Sequence, residues 1–142
     1  MGNLSGFLAQ NALKVENVKF IASKRFLDDK NKPIEWEIGC ITSGDDEALR
    51  RACTKRVSIP GKRNMQTQET DQGAYLVKLA AKCTVYPNLD DKELQDSYSV
   101  MGADALLKVM LTPGEFAEYL LRVQETNGFD TTFEERVDEV KN

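Results

Sequence analysis

Apolar and polar positions alternate along this chain with two different periods. Near the C-terminal end, Ala103, Leu106, Leu107, Met110 and Leu111 recur at i, i+3, i+4, i+7 and i+8, which predicts a helix over 102–111 burying one stripe. Thr112-Pro113-Gly114-Glu115 then stops one helix and starts another. Thr112 can accept from the amide three residues on, and Glu115 can reach back to the Thr112 amide, forming a capping box. Pro113 falls at the first helical position, where its missing N–H costs nothing. Phe116, Leu120 and Val123 continue at i, i+4, i+7, flanked by Tyr119 and Leu121, until Asn127-Gly128 supplies a left-handed stop.

The first half of the chain carries a period of two. Ile34, Trp36, Ile38 and Cys40 face one way and Glu35, Glu37 and Gly39 the other, predicting a strand over 34–41 with Trp36 as a core anchor. A less regular strand over 18–27 precedes it across a polar loop, 28–33, making a hairpin. Ser43 is placed to cap a helix running to about 56, with Asp45, Asp46 and Glu47 in its first turn and Arg50, Arg51, Lys55 and Arg56 toward its end, as the helix dipole favours. Its inward face would be Ala48, Leu49, Ala52 and Cys53. A short third strand is expected at 57–59 and a long polar loop from 60 to 70. Asp71 opens a further helix, with Tyr75, Leu76, Leu79, Ala80 and Cys83 apolar, ending near Pro87. Residues 90–98 read as a short helix or turn. Residues 4–13 can form a short helix with Leu4, Phe7, Leu8 and Ala12 on one side, marginal alone and in need of a docking partner in its own core or in a neighbouring subunit.

The expected fold class is therefore α+β: a small N-terminal β-hairpin or sheet packed with a mainly helical C-terminal part. Residues 1–130 form one domain. Residues 131–142 form an acidic tail, helical or disordered, with Thr131 and Glu134 spaced for a second capping box and only Phe133, Val137 and Val140 apolar.

A chain of 142 residues with 41% hydrophobic and 30% charged residues is long enough for a real core and too apolar for a disordered polymer. The net charge of −4 argues against a bulk nucleic-acid binder. Charge is unevenly spread: residues 19–63 hold 11 Lys/Arg against 7 Asp/Glu, and residues 115–142 hold 3 against 8. A basic front and acidic end favour head-to-tail contacts between copies, which high salt should weaken. Cys40, Cys53 and Cys83 are odd in number and widely spaced, which fits reduced thiols used as small core residues. No apolar run approaches the roughly 18 residues of a membrane span, and the first residues lack the pattern of a signal peptide, so the expected location is the cytoplasm where the chain is made.

The chemistry of catalysis is thin. The chain has no histidine, which removes the commonest general base, every Ser-His or Cys-His pair and the commonest zinc ligand. Neither phosphate-cradling glycine motif occurs, so no cofactor is implied. The paired acids Asp28-Asp29, Asp45-Asp46 and Asp90-Asp91 fit loops and helix starts and lack calcium-loop spacing. No catalytic residue and no metal ligand set is assigned. The basic cluster of Arg50, Arg51, Lys55, Arg56, Lys62 and Arg63 could touch nucleic acid, but no aromatic residue interleaves it for base stacking.

One ordered set of short segments is more specific. Pro87-Asn88-Leu89, Glu93-Leu94-Gln95-Asp96-Ser97-Tyr98, Met101-Gly102, Leu106-Leu107, Met110-Leu111, Pro113-Gly114-Glu115 and Asn127-Gly128-Phe129-Asp130 resemble the signature of the XkdN-like phage tail assembly chaperones. Ser23-Lys24-Arg25-Phe26, Glu35-Trp36-Glu37-Ile38, Asp71 and Tyr75 extend the resemblance over residues 7–130. The pattern departs at Ser99, where a glycine is expected after the Ser-Tyr pair. The resemblance implies a non-catalytic assembly factor in the host cytoplasm, absent from the mature virion. It would coat the tape measure protein until tail tube subunits polymerise around it, with a frameshifted extended form recruiting the tube protein. It also implies self-association.

Helix-in-groove binding of such a partner needs apolar surface on short helices. The candidate contacts are Phe7 and Leu8, the edge of the 106–111 helix at Leu106 and Met110, Tyr119 with Leu121, and the basic pair Arg50 and Arg51. Helical spacing alone equally turns the apolar ones into the core. A structural tail protein and a small nucleic-acid-binding regulator are the alternative readings.

Overall fold

The computed structural model describes residues 4–129. In chain order the elements are β1 (Val18–Phe20), β2 (Trp36–Ile38), α1 (Ser43–Ala52), β3 (Thr54–Ser58), β4 (Gln66–Thr70), α2 (Gln72–Cys83), β5 (Thr84–Tyr86), α3 (Lys92–Ser97), α4 (Ala103–Met110) and α5 (Pro113–Thr126). Antiparallel strands near the N-terminus and a mainly helical C-terminal part make the fold α+β.

Strands β1, β2 and β5 form an antiparallel sheet in the order β1-β2-β5, with Phe20 opposite Trp36 and Val18 opposite Ile38. Helices α2, α4 and α5 cover it. Trp36 and Ile38 from the sheet, Tyr75, Leu79 and Cys83 from α2, Leu106 and Leu107 from α4, and Tyr119 and Val123 from α5 are all buried in one cluster. Its centre is aromatic. Tyr119 meets Trp36 edge-on with ring centroids 5.2 Å apart and stacks on Phe20 at 6.2 Å, while Phe26 tilts against Trp36 at 6.2 Å. The Tyr119 hydroxyl is satisfied by Thr84 Oγ1 at 2.6 Å; that hydroxyl in turn donates to the Ala80 carbonyl. Burying Tyr119 therefore leaves no orphan polar group, which would otherwise cost a few kcal/mol.

The helix starts follow the local chemistry. Thr112 and Glu115 make the full capping box, with Pro113 at the first position of α5. Asp71 caps α2 by accepting from the Ala74 amide. The cap of α1 is Thr42, one residue before the expected Ser43, accepting from the Asp45 amide.

Several expectations are corrected. Residues 4–13 carry only a 3-10 turn, Ser5–Phe7, and no α-helix. The hairpin strands are three residues each rather than eight to ten, joined beyond their ends by a bridge between Leu27 and Pro33. Helix α1 ends at Ala52, because Thr54 Oγ1 donates to the Arg50 carbonyl and the chain turns into β3. Of its expected inner face, Leu49 is half-buried and Ala48 and Ala52 are exposed. The expected loop over 60–70 contains β4, which pairs with β3 in register from Thr54 opposite Thr70 to Ser58 opposite Gln66. Helix α2 stops at Cys83, and the next three residues enter the sheet as β5. Cys53 and Cys83 are buried, whereas Cys40 is exposed and its thiol donates to the Thr126 carbonyl. The acidic segment 131–142 lies outside the described residues.

Candidate functional site

An apolar cleft opens at the β5 edge of the three-stranded sheet. Phe26, Ile34 and Trp36 line it from the hairpin, Tyr86 and Pro87 from the end of β5, Leu94 and Tyr98 from α3 and Met110 from α4. It encloses about 180 Å³. Each wall has a local cause. Pro87 cannot continue a ladder and turns the chain away from the sheet. Asp91 then caps α3 by accepting from the Glu93 amide, so that Leu94 and Tyr98, at i and i+4, face the same way. Gln95 holds this turn in place, donating to the Leu89 carbonyl at 2.8 Å and accepting from the Gly102 amide at 2.9 Å. A shallower depression continues the cleft along Tyr86, Pro87 and Leu94 and adds Asn88, Asp91, Glu93 and Ser97, giving it an acidic rim.

The back of the cleft is braced by Arg25. Its guanidinium donates to the Met110 carbonyl at 2.6 Å and to Glu115 at 3.3 Å, tying the hairpin to the α4–α5 junction. The Thr112 amide, the Ser23 hydroxyl and Arg25 together hold the Glu115 carboxyl down at about 2, from an ordinary value of 4.5. A second polar network lies on the far side, between α1 and α2. Burial and the hydrogen bond to Asp46 push the Tyr75 hydroxyl up to about 12. Burial acts to raise the Asp46 carboxyl, but the Tyr75 hydroxyl and Arg50 outweigh it and hold the group below its ordinary range. The Arg50 guanidinium sits 4.2 Å above the Tyr75 ring and 3.0 Å from Asp46. This cluster joins two helices.

The residues singled out from the sequence do not converge. Met110 forms part of the cleft and is 4% exposed; Leu106 and Tyr119 are fully buried in the core, so the helix edge expected at Leu106 and Met110 does not stand at the surface. Those stripes point inward because α4 and α5 pack on α2 and the sheet. Leu121 is half-exposed on the outer side of α5. Phe7 and Leu8 lie on the 3-10 turn, Phe7 82% exposed. Arg50 is engaged with Asp46 and Tyr75, whereas Arg51 is exposed beside Glu47, Thr54 and Gln68. Lys55, Arg56, Lys62 and Arg63 are exposed along the β3–β4 ribbon. Among the described residues no group of three or more His, Cys, Asp or Glu is placed to hold a metal, and no helix is long and apolar enough to cross a membrane.

The cleft-lining set is not legible in the sequence as a set, because its members come from four parts of the fold. The usable signal was the resemblance: all but Ile34 and Tyr86 belong to the short segments that carry it.

Comparison with known proteins agrees. The model of the phage XkdN-like tail assembly chaperone family matches residues 4–141. Bacillus subtilis (strain 168) YqbN is 28% identical over 141 residues, covering 99% of this chain and 93% of that protein. XkdN of the phage-like element PBSX, from the same organism, is 27% identical over 141 residues, covering 99% and 94%. A crystal structure of YqbN superposes with a TM-score of 0.77 at 27% identity, covering 92% of this chain and 99% of that one. Sequence and fold thus lead to one assignment: the chain belongs to the phage XkdN-like tail assembly chaperone family.

Proposed function

We propose that the protein is a non-catalytic tail assembly chaperone whose cleft takes an apolar stripe of the tape measure protein and keeps it covered until tail tube subunits polymerise around it. The observation that carries this reading is the cleft itself, a concave apolar surface walled by Tyr86, Leu94 and Tyr98 and bordered by a polar rim. A groove of this kind suits helical partners that present apolar anchors at i, i+3 or i+4 and i+7. A long helical polypeptide awaiting its tube exposes such anchors repeatedly, so several copies of the chaperone would line up along it. Recruitment of the tail tube protein falls to an extended form carrying a further domain, and neither form stays in the finished particle.

The test is co-expression with the tape measure protein of the same genome, followed by affinity capture and sizing. The expected product is a soluble complex with several chaperone copies per tape measure chain. Tyr86→Asp places a charge at the cleft wall on a half-exposed residue and is expected to reduce capture by at least about tenfold, the scale of 1.4 kcal/mol. A tape measure chain that aggregates with the chaperone left free would sink the proposal. Detection of the protein in purified particles would instead favour a structural virion subunit. The exposed basic ribbon supports one other reading, nucleic-acid binding, which would show as affinity falling steeply with salt.

A further inference from the structure

We propose that the acidic end of the chain, residues 130–142, folds back onto the basic face of α1 and the β3–β4 ribbon in the same copy. There it shields that face from polyanions such as nucleic acid. The point where the chain leaves the described fold sets this up. Gly128, with φ +82°, turns the chain at the end of α5, and the Phe129 amide donates to the Gln124 carbonyl at 2.9 Å. The Phe129 ring then lies 6.0 Å from the Arg50 guanidinium. Arg50 in turn lines a shallow depression with Glu47 and Arg51 from α1, Thr54 and Gln68 from the ribbon. Residue 130 therefore starts at the border of this surface. The segment from Asp130 to Asn142 reaches roughly 40 Å when extended, so length does not limit the contact.

The surface carries charge that the fold does not use. In the ladder Arg56 stands opposite Gln68, which puts it on the ribbon face that holds Thr54 and borders the depression. Lys62 and Arg63 are exposed between the two strands. Among the described residues no ion pair involves Arg51, Arg56, Lys62 or Arg63, and Glu47 is the one acid lining the depression. The segment that starts beside it has the opposite sign. Asp130, Glu134, Glu135, Asp138 and Glu139 stand against Arg136 and Lys141. Exposed unlike charges attract weakly pair by pair, but the covalent link holds the two sets at an effective concentration in the millimolar range. The tail of a neighbouring copy therefore loses to the chain's own tail at lower protein concentrations. Phe133, Val137 and Val140 are too few for a dry interface, so charge holds the contact and salt releases it. Left bare, the ribbon would collect phosphate contacts from nucleic acid; the tail supplies carboxylates in their place.

This contact lies away from the cleft, so its failure would leave the tape measure reading standing, and the reverse holds too. The experiment compares the full chain with two full-length variants of equal net charge. The tail variant carries Glu134→Gln, Glu135→Gln, Asp138→Asn and Glu139→Gln. The control carries Glu16→Gln, Glu35→Gln, Asp90→Asn and Glu118→Gln, all at exposed positions. Amide-resolved NMR locates the tail and checks that each variant is folded. Binding of a fluorescein-labelled thymidine oligonucleotide measures access to the basic face. At about 50 mM salt the amides of Arg51, Thr54, Arg56 and Gln68 should differ in shift between the parent and the tail variant, independently of protein concentration. At about 0.5 M salt the difference should vanish. The tail variant should bind the oligonucleotide at least about tenfold more tightly than the parent and the control. Four outcomes would each overturn the proposal. They are identical shifts in parent and tail variant, shifts that move with protein concentration, a difference that persists at high salt, and a tail variant that binds the oligonucleotide no more tightly than the parent or the control.

Discussion

Two residues at chain turns set measurable costs. Gly102 precedes α4 with φ +96° and ψ 149°, a region essentially closed to side chains, and a Cβ built there meets nothing within 4 Å. Gly102→Ala is therefore expected to lower stability by about 1–3 kcal/mol through backbone strain alone, measured by chemical denaturation. Ser99, three residues earlier, has φ +57°, the left-handed conformation that a glycine in the family pattern would occupy freely. Glu115 sets a pH dependence. Its folded value of about 2 lies below the ordinary 4.5, so its stabilising effect is complete above the ordinary value and is lost as pH falls through the folded one. Glu115→Gln should melt below the parent chain at about pH 6, with the gap closing between about pH 5 and 2. A gap that stays constant down to pH 2 would contradict the assigned network. Thr112→Ala removes the other half of the capping box and should cost about 1 kcal/mol.

Elements with one buried face were readable in advance, and those without were not. The stripe Phe116, Leu120, Val123 and the alternation Ile34, Trp36, Ile38 identified α5 and β2 because burial imposes a period on the sequence. The β3–β4 ribbon leaves little such trace, since the short strand expected at 57–59 overlaps only the end of β3. All of β4, Gln66-Thr67-Gln68-Glu69-Thr70, is exposed, so no hydrophobic period exists to be read, and Pro60-Gly61 looks like the start of a loop. Strand β5 follows α2 without a breaking residue, and only pairing with β2 makes it a strand. The cleft was hidden for a related reason. Its residues are assembled by that unforeseen strand, with Tyr86 and Pro87 brought against Leu94, Tyr98 and Trp36 only once β5 joins the sheet. The ribbon's exposure leads to a prediction at this scale. Thr54 and Thr70 already face each other, with their hydroxyl oxygens 2.7 Å apart. Replacing 55–69 by a two-residue Asn-Gly turn should therefore leave a cooperative melt within a few degrees of the parent chain. A two-stranded ribbon as exposed as this one, with only Thr54 and Val57 half-buried, adds little stability of its own. Loss of cooperative unfolding in that variant would mean that the ribbon supports the core.

At the scale of the whole molecule, two forces could join copies, and salt separates them. The sequence places a positive balance over 19–63 and a negative one over 115–142, and four of the basic side chains stand exposed on the ribbon. Contacts built on these charges weaken as the Debye length shrinks from about 10 Å at 0.1 M salt to about 3 Å at 1 M. Contacts built on exposed apolar side chains such as Phe7 and Leu4 have no charge to screen, and burying them would remove apolar surface from water at about 25 cal/mol per Å², a contribution that salt does not diminish. The structure favours the second force, since Phe7 is the most exposed aromatic side chain among the described residues, while Arg50, the first of the basic cluster, is already paired with Asp46. Self-association is therefore expected to survive, or tighten slightly, between 0.1 and 1 M sodium chloride in sedimentation experiments. Sodium sulfate, which is excluded from protein surfaces, should tighten it further. If association instead weakens by an order of magnitude or more at high salt, the charge asymmetry drives it, and exposed apolar surface does not.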